Sequence, residues 1–247
     1  MKIIAHRGCS SAAPENTLAA FKLAWEEGAD GIEFDVRQTK DRKVAVIHDE
    51  TALRTGGRDA KVSELAFWEL RNLDVGSWKD PKYRNERIPD LEDALGALPS
   101  GKLAMIEIKC GSEILPELCR TVEASPVKRN QLMFLCFHRD VLAETLMVLP
   151  GALTIWNLTL YRKGLAGAWA PPAEKLISRA QEAGIRGLGI RRCDGITAAF
   201  VEKVHAAGMR LFIWTVDDVP AARRMRELGV DYLATNKPGF VRAQLGD

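Results

Sequence analysis

With 247 residues, 47% hydrophobic and 28% charged, the chain has the make-up of an ordinary globular protein and can bury a core without staples. A formal net charge of +2 without any dense Lys/Arg block argues against a nucleic-acid or anionic-membrane surface, leaving small dissolved molecules as the expected partners. The five cysteines, Cys9, Cys110, Cys119, Cys136 and Cys193, are scattered without a CxxC pair, which argues against a disulfide framework or a zinc site. No run approaches the roughly 18 apolar residues of a membrane span, and the N-terminus turns polar at His6-Arg7, so the cytoplasm is the expected location.

Lys2 to Ala5 reads as a first strand, and Pro14-Glu15-Asn16-Thr17 opens a helix whose apolar positions Leu18, Phe21 and Trp25 keep the 3.6-residue period until Gly28. Strand two, Gly31-Ile32-Glu33-Phe34-Asp35-Val36-Arg37, sets Ile32, Phe34 and Val36 on one face and Glu33, Asp35 and Arg37 on the other. A solvated strand face with two ordinary acids has the same pattern. Lys43 to Ile47 continues as a further extended piece ending at His48-Asp49. Residues 50 to about 89 break the rhythm with an expected helix at Ser63 to Leu73, and their length suggests an inserted lid. Phe67, Trp68 and Trp78 in this stretch, expected to be exposed, would suit homo-oligomer contacts as well as substrate covering.

The alternation then resumes. Strands are expected at Leu103 to Lys109, Gln131 to Phe137, Ala152 to Asn157, Gly187 to Arg191, Arg210 to Val216 and Tyr232 to Thr235. Helices fall between them, and Gly184, Gly208 and Gly229 each close one just before a strand. Eight strand-then-helix units of about 31 residues predict an α/β protein, a (β/α)8 TIM barrel over residues 1–247 with an inserted segment after strand two. A doubly wound sheet fits the alternation too, but Arg192 stands where its third fingerprint glycine belongs.

In such barrels the site lies at the C-terminal strand ends. His6 and Arg7 end strand one, Glu33 and Asp35 strand two, His48 its extension, Glu107 and Lys109 strand three, and Trp214-Thr215 strand seven. Glu33, Asp35 and Glu107 without cysteine favour Mg²⁺, Ca²⁺ or Mn²⁺ over zinc. Lys109 would suit a Schiff base, a counter-charge or a phosphate contact, and adjacent carboxylates that hold it protonated favour the phosphate. His138-Arg139-Asp140 mimics a kinase catalytic loop, but Thr145 stands where its Asn belongs.

Together, His6-Arg7-Gly8, Pro14-Glu15-Asn16-Thr17, Glu33-Phe34-Asp35-Val36, His48-Asp49, Ile88-Pro89-x-Leu91, Glu107-x-Lys109 and Trp214-Thr215-Val216 resemble, in order, the signature set of the glycerophosphodiester phosphodiesterase family. The resemblance implies metal-dependent hydrolysis of glycerophosphodiesters to glycerol 3-phosphate and an alcohol, in lipid and glycerol metabolism. It makes Glu33, Asp35 and Glu107 ligands of one divalent cation, His6 and His48 the general acid and base, Arg7 and Lys109 the phosphate contacts, and Trp214 a substrate contact. Attack by a glycerol hydroxyl, giving a cyclic phosphate, and attack by water both remain open. Cys136 and Asn236 depart from the residues frequent in the family. Both are expected at outer positions, where they would affect substrate choice more than the reaction.

Overall fold

The computed structural model describes residues 1–162, 164 and 167–246. Eight parallel strands, β1 (Lys2–His6), β2 (Gly31–Gln38), β3 (Leu103–Ile108), β4 (Leu132–Cys136), β5 (Leu153–Leu158), β6 (Gly187–Arg191), β7 (Arg210–Trp214) and β8 (Tyr232–Thr235), pair in sequence order. β1 pairs with both β8 and β2, so the sheet closes into a (β/α)8 barrel as expected. The strands are short and rich in Ile, Leu, Phe and Met, as strands buried on both faces must be.

Period-two alternation divides each strand between two cores. Ile4, Met105, Met133, Leu135, Ile155, Phe212 and Ala234 fill the barrel interior, while Ile32, Phe34, Phe134, Leu188 and Leu211 pack outward under the helices. The interior plug stops short of the C-terminal rim, and polar residues take over the same inward positions there. Gly184, Gly208 and Gly229 take the left-handed conformation that lets each preceding helix end and turn into the next strand.

The short strand Val44–Val46 folds back antiparallel on β2, and the residues after it build a separate hydrophobic cluster from Ile47, Ala52, Val62, Leu65, Phe67, Leu70, Val75 and Ile88. The expected helix at Ser63 to Leu73 is interrupted: a 3-10 turn covers Val62–Glu64, and the α-helix covers only Phe67–Arg71. Leu65 is held extended because its carbonyl accepts from the Lys40 amide, and the Glu69 carboxylate caps the helix start at the Ala66 amide. Phe67, expected to be exposed, is buried in this cluster, whereas Trp68 is 67% and Trp78 44% exposed. The antiparallel pair Tyr161–Arg162 and Trp169–Ala170 between β5 and β6 has no counterpart in the sequence reading. No helix among the described residues is long and apolar enough to cross a membrane.

Candidate active site

Register, on top of alternation, gathers the rim residues. Glu33 pairs with His6 on one side and Met105 on the other, and Asp35 pairs with Glu107. Neighbouring strands lie ~4.8 Å apart, so inward side chains at paired positions meet. Oxygens of Glu33, Asp35 and Glu107 accordingly come within 4.8 Å of one another, and all three residues are buried.

Two cations face these three acids. Lys109 Nζ lies 2.9 Å from Glu107 Oε1 and 3.5 Å from Asp35 Oδ1. Arg7 Nε lies 3.2 Å from Asp35 Oδ2, and its Nη1 donates to Glu15 Oε1 at 2.8 Å. Arg7 sits at φ 56° and Gly8 at φ 79°, and this left-handed turn aims the Arg7 amide at Glu33 Oε2, 3.1 Å away. A Cβ on Gly8 would stand 2.7 Å from the Ala20 backbone, so only glycine fits.

The titrations follow from this crowding. Burial, reinforced by Asp35 and Glu107, pushes the Glu33 carboxyl well above its ordinary value, and burial and Asp35 push Glu107 up as well. Burial raises Asp35 too, but Arg7 and Lys109 outweigh it and hold that carboxyl low. Burial would lower Lys109, yet Asp35 and Glu107 prevail and raise it. A lysine held protonated in this way does not suit Schiff-base chemistry. Glu33 Oε1 is buried without a hydrogen-bond partner among the described residues. An all-oxygen donor set with one orphaned oxygen and a surplus of negative charge fits a hard divalent cation.

The histidines flank the acids. His6 Nε2 lies 3.9 Å from Glu33 Oε2, and burial together with Arg7 lowers the imidazole to about 4. His48 Nδ1 lies 2.6 Å from Asp49 Oδ1, and burial and Arg7 lower it despite the raising effect of Asp35 and Asp49. Trp214 completes the rim, edge-on to Phe137 at 5.7 Å, with its indole Nε1 buried and without a partner among the described residues. Lys109 Nζ lies 5.6 Å from the Phe137 ring centre. All eight residues singled out in the sequence thus meet at one rim.

The roles of several supporting residues escaped the sequence reading. Glu15 and Asn16 are not helical; they form a turn before the Leu18–Glu26 helix, which Thr17 caps through its Oγ1. Asn16, at φ 58°, donates through Nδ2 to Asp35 Oδ2 at 2.9 Å. Asn157, inward on β5 in phase with Leu153 and Ile155, faces Glu107 and works to lower its carboxyl against the effect of burial. Arg54 donates to Asp49 at 2.6 Å and to both Glu15 oxygens at 2.7 and 2.8 Å, tying the partner of His48 to the partner of Arg7. Because Arg54 is 45% exposed, Arg54→Ala is expected to leave stability within about 1 kcal/mol by thermal melting. Its expected effect is on the reaction, a fall of about tenfold in kcat/KM, roughly 1.4 kcal/mol, because His48 and Arg7 lose a shared anchor.

Cys136 does face outward, its thiol donating to the Ile108 carbonyl at 3.2 Å. Asn236 does not. It shares the inward phase of Tyr232 and Ala234, and its Oδ1 lies 2.8 Å from His6 Nδ1. The count by twos along β8, continued one step past the strand end, would have placed it there. Cys9, close to this turn, is buried, and its thiol is pushed up to about 12 by burial and then Glu27, which leaves it inert.

The sequence model of the glycerophosphoryl diester phosphodiesterase family matches residues 6–240. A glycerophosphodiester phosphodiesterase of Caldanaerobacter subterraneus subsp. tengcongensis is 34% identical over 240 residues, covering 96% of this chain and 94% of that protein. A phosphodiesterase of Oleispira antarctica, solved with the product sn-glycerol-3-phosphate, superposes with a TM-score of 0.88 at 25% identity, covering 100% of this chain and 97% of the other. A glycerophosphodiester phosphodiesterase of Agrobacterium tumefaciens str. C58 superposes at 0.78 with 27% identity, covering 98% of this chain and 99% of that one. The order of the rim motifs, the closed eight-stranded barrel and these likenesses agree: the chain belongs to the glycerophosphoryl diester phosphodiesterase family.

Proposed function

We propose that the protein hydrolyses glycerophosphodiesters to glycerol 3-phosphate and an alcohol, with a divalent cation at Glu33, Asp35 and Glu107 and with His6 and His48 as the acid–base pair. The observation that carries this reading is the convergence of three buried carboxylates, two cations and two histidines at one barrel rim. Splitting a phosphodiester requires charge neutralisation at the non-bridging oxygens, a proton taken from the nucleophile and a proton given to the leaving alcohol.

Arg7 and Lys109 bind the phosphate from two sides, each already held by carboxylates. A divalent cation held by Glu33, Asp35 and Glu107 would supply Lewis-acid charge beside them. With all three acids ionised, their charge exceeds that of Arg7 and Lys109 by one, so a bound divalent cation would turn the site net positive and suit it to a diester anion. His6, part-buried and kept neutral, suits the base; His48, whose Nδ1 is held by a carboxylate, suits the acid. Trp214 and Phe137 form an apolar wall for the glycerol carbons. We read residues 1–247 as a single barrel domain carrying an insertion at about 50–89, since one hydrophobic cluster runs from Ile3 to Leu245.

The test is product analysis with glycerophosphodiesters carrying choline, ethanolamine, glycerol or inositol in the presence of Mg²⁺, Ca²⁺ or Mn²⁺. Glycerol 3-phosphate and the free alcohol are expected. Glycerol and a phosphorylated head group would mean that the opposite P–O bond breaks, and turnover of no diester would leave a binding protein.

A further inference from the structure

We infer that Asp217 and Asn236 are positioning residues that fix the tautomer of His6, keeping the proton on Nδ1 so that Nε2 faces the reaction as a lone pair. The inference rests on the reading of His6 as the base, but its structural half stands on hydrogen bonding alone.

The chain of contacts begins in the loop after β7. Asp217 Oδ1 accepts from the Thr235 hydroxyl at 2.9 Å and from the Asn236 amide at 2.7 Å, and Asp217 Oδ2 accepts from Asn236 Nδ2 at 2.6 Å. An ionised carboxylate can only accept, so the Asn236 side chain must turn its NH₂ toward Asp217. That leaves Asn236 Oδ1, an atom that can only accept, 2.8 Å from His6 Nδ1. The Ser10 hydroxyl stands 2.7 Å from the His6 carbonyl and 2.8 Å from the same Oδ1, and its single proton suits either acceptor. His6 Nδ1 must therefore carry its hydrogen. Its other nitrogen, Nε2, then points toward Glu33 with its lone pair free.

Every link is set by which atoms lack protons, so the chain can be inverted by one isosteric change. In Asp217→Asn, Oδ1 still accepts from Thr235 and from the Asn236 backbone. The new NH₂ faces the old one, and Asn236 relieves the clash by turning over. Its NH₂ then meets His6 Nδ1, which can pair only as an acceptor, and the imidazole proton moves to Nε2. Adding Asn236→Asp restores the original sense, because a carboxylate at position 236 accepts from the introduced amide on one side and from His6 Nδ1 on the other.

The experiment is long-range ¹H–¹⁵N NMR of the Mg²⁺-loaded protein labelled on histidine, with only four imidazoles to resolve and His6→Gln to assign the signal. Melting temperature and kinetics are measured alongside. The expected result is Nδ1–H in the wild type, Nε2–H in Asp217→Asn, and Nδ1–H again in the double variant. The kcat is expected to fall about 10²- to 10⁴-fold in the single variant, the range of a lost general base, with KM nearly unchanged, and to recover in the double variant. An unchanged tautomer in a folded Asp217→Asn overturns the relay. A switched tautomer with kcat unchanged keeps the relay and overturns the base role of His6. A kcat that falls without recovery in the double variant, despite a restored tautomer, reduces Asp217 to a structural residue.

Discussion

His48→Ala is expected to lower kcat about 10²- to 10⁴-fold on diesters of poorly leaving alcohols such as choline or glycerol. The size of the loss depends on the leaving group because an alkoxide needs a proton as it departs, whereas a p-nitrophenolate does not. With a glycerophospho-p-nitrophenyl diester the same variant is expected to lose at least tenfold less, while His6→Ala loses equally on both substrates. The fold tolerates the change, since His48 is only part-buried. Equal losses on both substrates for His48→Ala would reverse the acid and base assignment, and an intact rate would remove His48 from the reaction.

Glu33→Gln is expected to move activity and stability in opposite directions. Burial, Asp35 and Glu107 raise the folded-state pKa of Glu33 above its unfolded value, so its favourable contribution is full at low pH. That contribution is lost as pH rises through the folded value, and above it the metal-free protein carries an uncompensated buried charge. Glutamine keeps the shape and removes the charge. In EDTA at pH 7 to 8 the variant is therefore expected to melt higher than the wild type, by about 2–4 °C for each kcal/mol relieved in a chain of this size.

Restoring the cation reverses the comparison. At about 100 times the dissociation constant, binding stabilises the wild type by about 2.7 kcal/mol, whereas Glu33→Gln gains little and its kcat falls to the metal-free level. Affinity for the cation is expected to rise with pH as Glu33 and Glu107 deprotonate. Calorimetric melting with and without the cation reads all of this. A variant that melts lower in EDTA, or gains as much from the cation as the wild type, contradicts the placement of the metal.

What the sequence made legible follows period. Alternation along Glu33-Phe34-Asp35 and Met105-Ile106-Glu107 is enough to aim carboxylates inward, and strand-ending positions in a barrel are enough to place His6, Arg7, Lys109 and Trp214 at one rim. Register was not legible: nothing in either strand says that Asp35 pairs with Glu107, yet that pairing brings their oxygens together. Loops hid more. Glu15 and Asn16 looked helical because Thr17 and the apolar run behind them are, but the left-handed Asn16 turns them into the site. Arg54 and Asp217 act through partners tens of positions away or on another loop, and no local pattern distinguishes them from surface charges. The segment around Phe67 misled because helical periodicity there was broken by Leu65, which tertiary pairing holds extended.

The central claim is tested most directly by following glycerol 3-phosphate release from a glycerophosphodiester in EDTA, then after restoring Mg²⁺, Ca²⁺ or Mn²⁺, with Glu107→Ala beside the wild type. Release is expected to stop in EDTA, to return with at least one of the cations, and to stay absent in Glu107→Ala. Release that persists in EDTA, or that survives the loss of Glu107, would contradict a metal-dependent reaction at this rim.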